Sequence, residues 1–328
     1  MKPSYQGIIP PLVTPLLDRD TLDVAGLERL LEHMIAGGIH GIFALGTTGE
    51  APGLGYRLRR ELVDRVCRQV SGRVPVLVGI TDSAFVESVA LAQHAAKAGA
   101  AAVVVSAPYY FPAGQPELQE YLSHLVPELP LPVMLYNMPR LTKITFGLET
   151  LQRAMAEPRI VGLKDSSGDM SYFHQARVLI RQRPDWSILI GPEELLADAT
   201  LLGGDGGVCG GANLFPKLYV ELWQAAAQGD LARTRMLHLH VQKLSRTVYS
   251  VGRHPTAWLK GLKCALGLQG LCSDFMAEPF HKFREEDRAR VALALKDLGT
   301  PEDTARELAL SASKSGSIRA GGSYAGNP

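Results

Sequence analysis

The sequence has few cysteines, almost no net charge and no long apolar run. Its 328 residues include four cysteines, none of them in a CxxC pair. A chain of this length does not need disulfides for stability, so we expect reduced thiols and a cytoplasmic protein. The formal net charge of +1 at pH 7 provides no global field to attract nucleic acid or an anionic membrane.

Nowhere does the sequence contain the roughly 18 consecutive apolar residues of a membrane span, and its N-terminus lacks the apolar core of a signal peptide. What the chain does contain is 46% hydrophobic and 20% charged residues, the composition of a globular protein with a sizeable core. This composition excludes wholesale disorder. We expect a small-molecule partner and neither a nucleic acid nor a membrane.

Helical and strand-like patterns alternate along most of the chain. Leu27, Leu30, Leu31 and Met34 share one face of a predicted helix that Gly37 closes, and a short apolar run follows. Counted from the first run at 7–13, eight such runs precede residue 215, and their lack of period-two alternation is typical of strands buried on both faces. The pattern predicts an α/β fold, a (β/α)₈ TIM barrel, with an open doubly wound sheet as the alternative.

The pattern divides the chain into three parts. Residues 1–215 are predicted to form the barrel, and residues 216–298 a C-terminal helical extension packed on it. Residues 311–328 are small, polar and rich in glycine, which predicts a disordered tail. The predicted helices of the extension span 216–228, 230–247, 256–267 and 285–298.

Two polar residues follow neighbouring predicted strands, at the end of a barrel where active sites lie. Lys164 directly follows the apolar run 159–163, and desolvation there would lower its pKa as a Schiff-base lysine requires. The alternative is an amine that pairs with Asp165 or reaches solvent. Tyr136 is suited to relay protons to a carbonyl oxygen near Lys164, or it is simply a packing residue.

Other candidates are weaker. The segment 46–49, Gly-Thr-Thr-Gly, offers backbone N–H groups and two hydroxyls for a carboxylate, or is an ordinary turn. The glycine-rich segment 203–207 is suited to phosphate, although no nucleotide-binding glycine motif occurs. Glu193 and Glu194 are suited to bind sugar hydroxyls or to cap a helix. No histidines have metal-ligand spacing, so we expect no metal.

Five motifs occur in one order along the chain, and together they resemble the dihydrodipicolinate synthase and N-acetylneuraminate lyase superfamily of pyruvate-dependent class I aldolases. The resemblance covers about residues 5–298. The motifs are GTTGEA at 46–51, APYYF at 107–111, YNMP at 136–139, GLKDSSGD at 162–169 and GGDGGVCGGAN at 203–213.

This resemblance implies roles for individual residues. Lys164 would condense with the ketone of pyruvate or another 2-keto acid, and Tyr136 would shuttle protons. Thr47 and Thr48 would hold the carboxylate. Thr48 would also join Tyr136 and Tyr110 in a tyrosine–threonine–tyrosine relay, in which the counterpart of Tyr110 comes from a neighbouring subunit in several family members. The resemblance thus implies a homotetramer, a dimer of dimers, and no cofactor, because the lysine imine is the electron sink.

The second substrate is less clearly implied. Dihydrodipicolinate synthases usually have an arginine two residues after the proline of the YNxP motif, where this chain has Leu141, with Arg140 one position early. This departure argues against aspartate semialdehyde as the second substrate. Leu141 is instead similar to the residue pattern of the sialate lyases at this position. The remaining positions expected to bind substrate are Ser166, Gly191, Glu193, Glu194 and Val208.

The resemblance implies a lyase that reversibly splits a 2-keto acid into pyruvate and an aldehyde. A 2-keto-3-deoxy sugar acid or an N-acetylneuraminate-like compound is the expected substrate. Within the family, the alternatives are 4-hydroxy-tetrahydrodipicolinate synthase, 4-hydroxy-2-oxoglutarate aldolase and a sugar-acid dehydratase. Outside it, two alternatives stay open: a barrel that binds a keto acid without catalysis, and a phosphosugar enzyme that uses residues 203–207.

Overall fold

The computed structural model describes residues 4–306, and the predicted tail at 311–328 lies outside this range. Eight parallel strands form one sheet: β1 (Gly7–Ile8), β2 (Ile42–Ala44), β3 (Val76–Gly79), β4 (Ala102–Ser106), β5 (Val133–Asn137), β6 (Ile160–Asp165), β7 (Ser187–Ile190) and β8 (Gly206–Gly207). Neighbouring strands in the sheet follow the order β1-β8-β7-β6-β5-β4-β3-β2. The predicted (β/α)₈ barrel is confirmed.

Helices connect the strands and continue after the last one. Those of the barrel are α1 (Val24–Ala36), α2 (Tyr56–Val70), α3 (Phe85–Ala98), α4 (Gln115–Glu128), α5 (Pro139–Thr142), α6 (Leu148–Ala154), α7 (Met170–Ile180) and α8 (Leu196–Leu201). Those that follow are α9 (Pro216–Ala227), α10 (Leu231–Thr247), α11 (Ala257–Leu268) and α12 (Glu285–Leu298). These last four match their predicted spans to within a residue at each end. Within residues 4–306, none of the helices is long and apolar enough to cross a lipid bilayer.

The strands are buried on both faces, as their sequences predict. All five residues of β4 are buried, and β-branched residues fill its centre. Residues of one alternation form a separate cluster inside the ring of strands, while those of the other pack outward in the larger core. The interior cluster consists of Ile9, Phe43, Leu77, Ala102, Val104, Met134, Tyr136, Leu189 and Val208.

The barrel closes between β1 and β2 without a regular ladder. Pro10 and Pro11 follow β1 and have no N–H to donate, so the predicted strand at 7–13 is cut to two residues. Phe43 spans the gap: its N–H donates to the Pro10 carbonyl at 2.9 Å, and its carbonyl accepts the Leu12 N–H at 2.8 Å. The His40 N–H adds a bond to the Ile8 carbonyl at 2.8 Å.

The helices after β8 share the core that surrounds the barrel. Tyr219, Leu222, Leu244 and Leu262 belong to the same hydrophobic cluster as residues on the outer face of the strands. Each of these side chains is fully buried, so the extension packs on the barrel. The division of the chain at residue 215 stays a prediction.

Candidate active site

Tyr136 and Lys164 lie side by side, Tyr136 at the carboxyl end of β5 and Lys164 at that of β6. The register of these parallel strands pairs Tyr136 directly with Lys164. The Lys164 Nζ lies 3.8 Å from the centre of the Tyr136 ring and 4.8 Å from that of Phe43. Lys164 is 5% exposed and Tyr136 is 8% exposed. The two residues therefore form one buried amine–phenol pair on an apolar floor.

Burial lowers the pKa of Lys164, because desolvation disfavours the ammonium form. The nearby Tyr136 hydroxyl opposes this lowering in part. Asp165 does not neutralise the amine. Its carboxylate instead accepts hydrogen bonds from the Asn137 amide at 2.8 Å and the Ser167 hydroxyl at 2.9 Å. The alternative of a Lys164–Asp165 ion pair is therefore wrong, since adjacent strand residues point to opposite faces.

Thr47 is the threonine that contacts Tyr136. Its Oγ1 lies 3.2 Å from the Tyr136 hydroxyl oxygen, within hydrogen-bond distance. Thr48 is 5% exposed, and no hydrogen bond joins it to Tyr136 in the described part of the chain. The expectation that Thr48 is the relay threonine is therefore corrected to Thr47. Neighbouring residues of a loop present their side chains in different directions, so a shift of one position changes the partner.

Tyr110 lies on the surface of the chain. It is 84% exposed, and its ring packs edge-to-face on Phe111, which is 79% exposed. Its φ of +88° is in the left-handed region that bulky residues rarely occupy. Across residues 4–306, no hydrogen bond links Tyr110 to Tyr136 or Thr47 of the same chain. A single chain therefore does not assemble the expected three-residue relay.

Gly191 and Ser166 meet where β6 and β7 end. The Gly191 N–H donates to the Asp165 carbonyl at 2.7 Å. A Cβ added at Gly191 would lie 1.9 Å from the Ser166 Oγ, so only glycine leaves room for this hydroxyl. Val208 lies in the barrel interior, in the same cluster as Tyr136. The structure therefore brings two of the expected substrate positions together and places a third on the floor of the site.

The neighbouring acidic residues are held by the protein itself. Glu193 accepts the Gly211 N–H at 2.7 Å and the Tyr219 hydroxyl at 2.5 Å, and only 6% of it is exposed. Glu194 accepts the Ser245 hydroxyl at 2.5 Å. Burial and the Glu194 charge raise the pKa of Glu193 to about 7. These contacts favour a structural role for Glu193, and binding of substrate hydroxyls by this pair stays a prediction.

The raised pKa of Glu193 makes the fold sensitive to pH. The folded protein holds this proton more tightly than the unfolded chain, so its stabilising effect is complete below about pH 4.5 and is lost as pH rises through about 7. We expect Glu193→Gln to remove a fall of about 2 kcal/mol in the free energy of unfolding between pH 5 and pH 8. Urea unfolding of both proteins at the two pH values measures it, and parallel pH dependences would contradict it.

The glycine-rich segment 203–207 begins before β8 and ends within it. Gly203 and Gly204 precede β8, and Asp205 bonds to Ile188 near the start of β7. A loop before a parallel strand lies at the opposite end of the barrel from the loops after the strands, so residues 203–205 are not part of the loops that follow the strand ends. Phosphate binding by this segment, on which the phosphosugar alternative depends, stays a prediction.

Sequence reasoning missed two residues at the site. Phe43 packs under the amine, but its position within an apolar run gave no sign of this contact. Asn137 ties β5 to β6 through Asp165 and also accepts the Phe146 N–H at 3.1 Å. Its signals were its place directly after Tyr136 at the end of a predicted strand and its presence in the YNMP motif at 136–139.

A buried lysine beside a tyrosine, at the carboxyl end of a parallel barrel, is the arrangement of a carbon–carbon lyase of the class I aldolase type. The comparisons with known proteins agree with this class. Residues 4–298 match the model of the dihydrodipicolinate synthetase family, and the chain belongs to this family.

Solved structures and curated relatives cover most of the chain. Dihydrodipicolinate synthase from Bacteroides thetaiotaomicron is 53% identical with a TM-score of 0.88, over 90% of this chain and all of that one. YagE from Escherichia coli K12, solved in complex with pyruvate, is 30% identical with a TM-score of 0.84, over 90% and 98% of the two chains. The probable 2-dehydro-3-deoxy-D-pentonate aldolase YjhH of the same organism is 32% identical over 90% of this chain and 98% of its own.

Proposed function

We propose that the protein is a Schiff-base-forming, pyruvate-dependent lyase whose substrate is a 2-keto-3-deoxy sugar acid or an N-acetylneuraminate-like 2-keto acid. The observation that carries this proposal is the buried amine of Lys164, 3.8 Å from the Tyr136 ring centre. A lowered pKa increases the fraction of Lys164 that is present as the neutral amine, the form that attacks a ketone. The pyruvate complex of YagE supports the choice of keto acid.

The proposed cleavage begins when the Lys164 nitrogen attacks the ketone carbon of the substrate. Loss of water then gives a protonated imine. Removal of the proton from the C4 hydroxyl breaks the C3–C4 bond, and its two electrons move into the imine to form an enamine. The aldehyde leaves, C3 takes up a proton, and water hydrolyses the imine to release pyruvate. The hydroxyl oxygens of Tyr136 and Thr47 lie 3.2 Å apart, so these two groups are suited to pass the protons.

The substrate carboxylate fits the loop that follows β2. Thr47 and Thr48 offer two hydroxyls in this loop, the first of them in contact with Tyr136, and the backbone N–H groups of a turn favour an anion. The imine is itself the electron sink, so the proposed reaction calls for no organic cofactor and no metal. Within residues 4–306, no three His, Cys, Asp or Glu side chains are grouped to hold a metal ion.

The substrate class rests on α5. Leu141 is 53% exposed and stands where the synthases usually have arginine, so a second carboxylate would meet an apolar side chain there. The name of the YjhH relative supports a sugar-acid substrate. The second candidate is 4-hydroxy-tetrahydrodipicolinate synthase, which the Bacteroides relative favours, with the exposed Arg140 in place of the usual arginine.

Trapping the imine tests the proposed chemistry. Incubation with pyruvate and borohydride is expected to add a stable mass to the protein, which peptide mass spectrometry places on Lys164. Reduction makes the carbon–nitrogen bond permanent, so each competent site is counted once. Borohydride alone is the control. Absence of an adduct at Lys164 would favour a barrel that binds keto acids without catalysis.

A substitution on α5 tests the substrate class. Wild type is expected to release pyruvate from a 2-keto-3-deoxy sugar acid or N-acetylneuraminate faster than it consumes pyruvate with aspartate semialdehyde. Leu141→Arg is expected to raise kcat/KM for aspartate semialdehyde by about tenfold or more, because an ionic hydrogen bond to a carboxylate is worth about 1.5–3 kcal/mol. Arg140→Leu is the matched control. A loss of aspartate semialdehyde activity in Arg140→Leu would instead assign the carboxylate to Arg140.

We further propose a homotetramer in the cytoplasm. The exposed ring pair of Tyr110 and Phe111 is suited to enter a neighbouring subunit and supply the third relay hydroxyl. The four cysteines are free and buried, as in a reducing compartment. Light scattering measures the assembly, and a monomeric Tyr110→Ala variant with reduced activity would support the contribution of this loop.

A further inference from the structure

A buried ion pair joins the C-terminal extension to the loop that carries Thr47. The Nζ of Lys263, on α11, lies 2.5 Å from the Oε1 of Glu50, and the two side chains are 0% and 2% exposed. Lys263 also donates to the Phe275 carbonyl at 2.6 Å. The other oxygen of Glu50 accepts the Ala277 N–H at 2.8 Å. The carboxylate of Glu50, in a barrel loop, is therefore paired with a helix and a loop that follow the barrel in sequence.

Stability alone is a weak reason for such a pair. Removing two charges from water is costly, and well-packed apolar residues in place of a buried ion pair often stabilise a fold equally well. Two charges fixed by three hydrogen bonds do, however, define the positions of the segments that carry them. The pair is therefore suited to set a geometry.

The segment that Glu50 holds has a demanding backbone. Glu50 has a φ of +57° and Leu45 one of +58°, so a left-handed residue that is not glycine stands at each end of segment 46–49. Such residues are strained and persist where their surroundings fix them. The anchored carboxylate of Glu50 provides this restraint at one end of the segment.

The restraint reaches the proton-transfer pair through two contacts. The Glu50 N–H donates to the Thr47 carbonyl at 3.0 Å, and the Thr47 hydroxyl lies 3.2 Å from that of Tyr136. We infer that Glu50 and Lys263 are positioning residues that keep Thr47 in contact with Tyr136, so that the C-terminal extension sets the geometry of proton transfer. This inference rests on the function proposed above.

Two variants test it, each with kcat expressed per site that pyruvate and borohydride can label. Lys263→Met removes one charge. Glu50→Asp keeps both charges and shortens the side chain that carries the carboxylate by one methylene. It therefore still tests the geometry if the loss of a charge in Lys263→Met unfolds the protein. We expect kcat to fall by about 10-fold to 100-fold, since a displacement near 1 Å costs up to about 100-fold, with KM for the keto acid changed less than about threefold.

The matched control breaks an ion pair at the opposite end of the barrel. Arg183 lies 2.7 Å from Asp185 before β7 begins, and Arg183→Met is expected to lower the melting temperature with kcat per labelled site unchanged. A purely structural role for Lys263 and Glu50 predicts the same behaviour for their variants. Wild-type kcat per labelled site in Glu50→Asp would therefore overturn the inference.

A crystal structure of Glu50→Asp separates this inference from the proposed function. If wild type forms no adduct with pyruvate, the proposed function fails, but the distance between the Thr47 and Tyr136 hydroxyls in the variant still shows whether Glu50 sets it. Separation of the two hydroxyls beyond hydrogen-bond distance would support the positioning role. An unchanged contact would overturn it.

Discussion

Replacing Lys164 with alanine is expected to abolish turnover, by more than about 10⁴-fold, because no other group can then form the covalent intermediate. The borohydride adduct with pyruvate should disappear with it. Both effects follow from one amine that is 5% exposed and faces Tyr136. Pyruvate release from the 2-keto acid that wild type cleaves fastest measures the first effect, and intact-protein mass spectrometry measures the second. Retained turnover in Lys164→Ala would contradict the assignment.

The fold of the Lys164 variants should be intact. Burial lowers the pKa of Lys164, so between the folded and unfolded pKa values the unfolded chain binds more protons and the group destabilises the fold. This effect diminishes as pH rises toward the ordinary lysine pKa. Lys164→Met keeps most of the volume and removes the amine. Its free energy of unfolding at neutral pH is therefore expected to equal or exceed that of wild type, and a marked loss would show that the amine has a structural role.

Replacing Tyr136 with phenylalanine is expected to slow turnover by about 10²–10⁴-fold, the usual effect of a positioned acid–base group. The ring remains to pack against Phe43, with which it makes an edge-to-face contact at 6.2 Å between centres. The variant therefore loses only the hydroxyl that lies 3.2 Å from Thr47. Steady-state kinetics with the same substrate provides the measurement.

Thr47→Val is the matched control for this variant. It also removes one hydroxyl from the Tyr136 contact but leaves the phenol in place, so its loss of rate should be smaller. The imine should still form in both variants, more slowly in Tyr136→Phe. A rate for Tyr136→Phe within threefold of wild type would remove the proton-shuttle role.

Most of the fold could be predicted because its patterns are local. Apolar runs bounded by helices gave the eight strands, and the spacing of apolar residues gave the helices after β8. The exceptions have physical causes. Consecutive prolines shorten β1, which periodicity alone does not show. The four-residue helix α5 is too short to produce a periodic pattern.

The site was predictable where it depends on strand ends and not where it depends on distant contacts. Lys164 and Tyr136 each end a run, so a parallel barrel brings them together. The choice between Thr47 and Thr48 depends on loop conformation, which adjacent identical residues do not reveal. The partner of Glu50 lies 213 residues away in sequence, and the only sign of it was a lysine among apolar residues of α11.

Phe43 connects the closing of the barrel to the environment of the amine. Its N–H and carbonyl both bond across the gap between β1 and β2, while its ring lies 4.8 Å from the Lys164 nitrogen. A transient break at this gap would displace the aromatic ring that packs beside the amine. Hydrogen exchange at the Phe43 amide therefore reports how often the barrel opens along the joint that carries this ring.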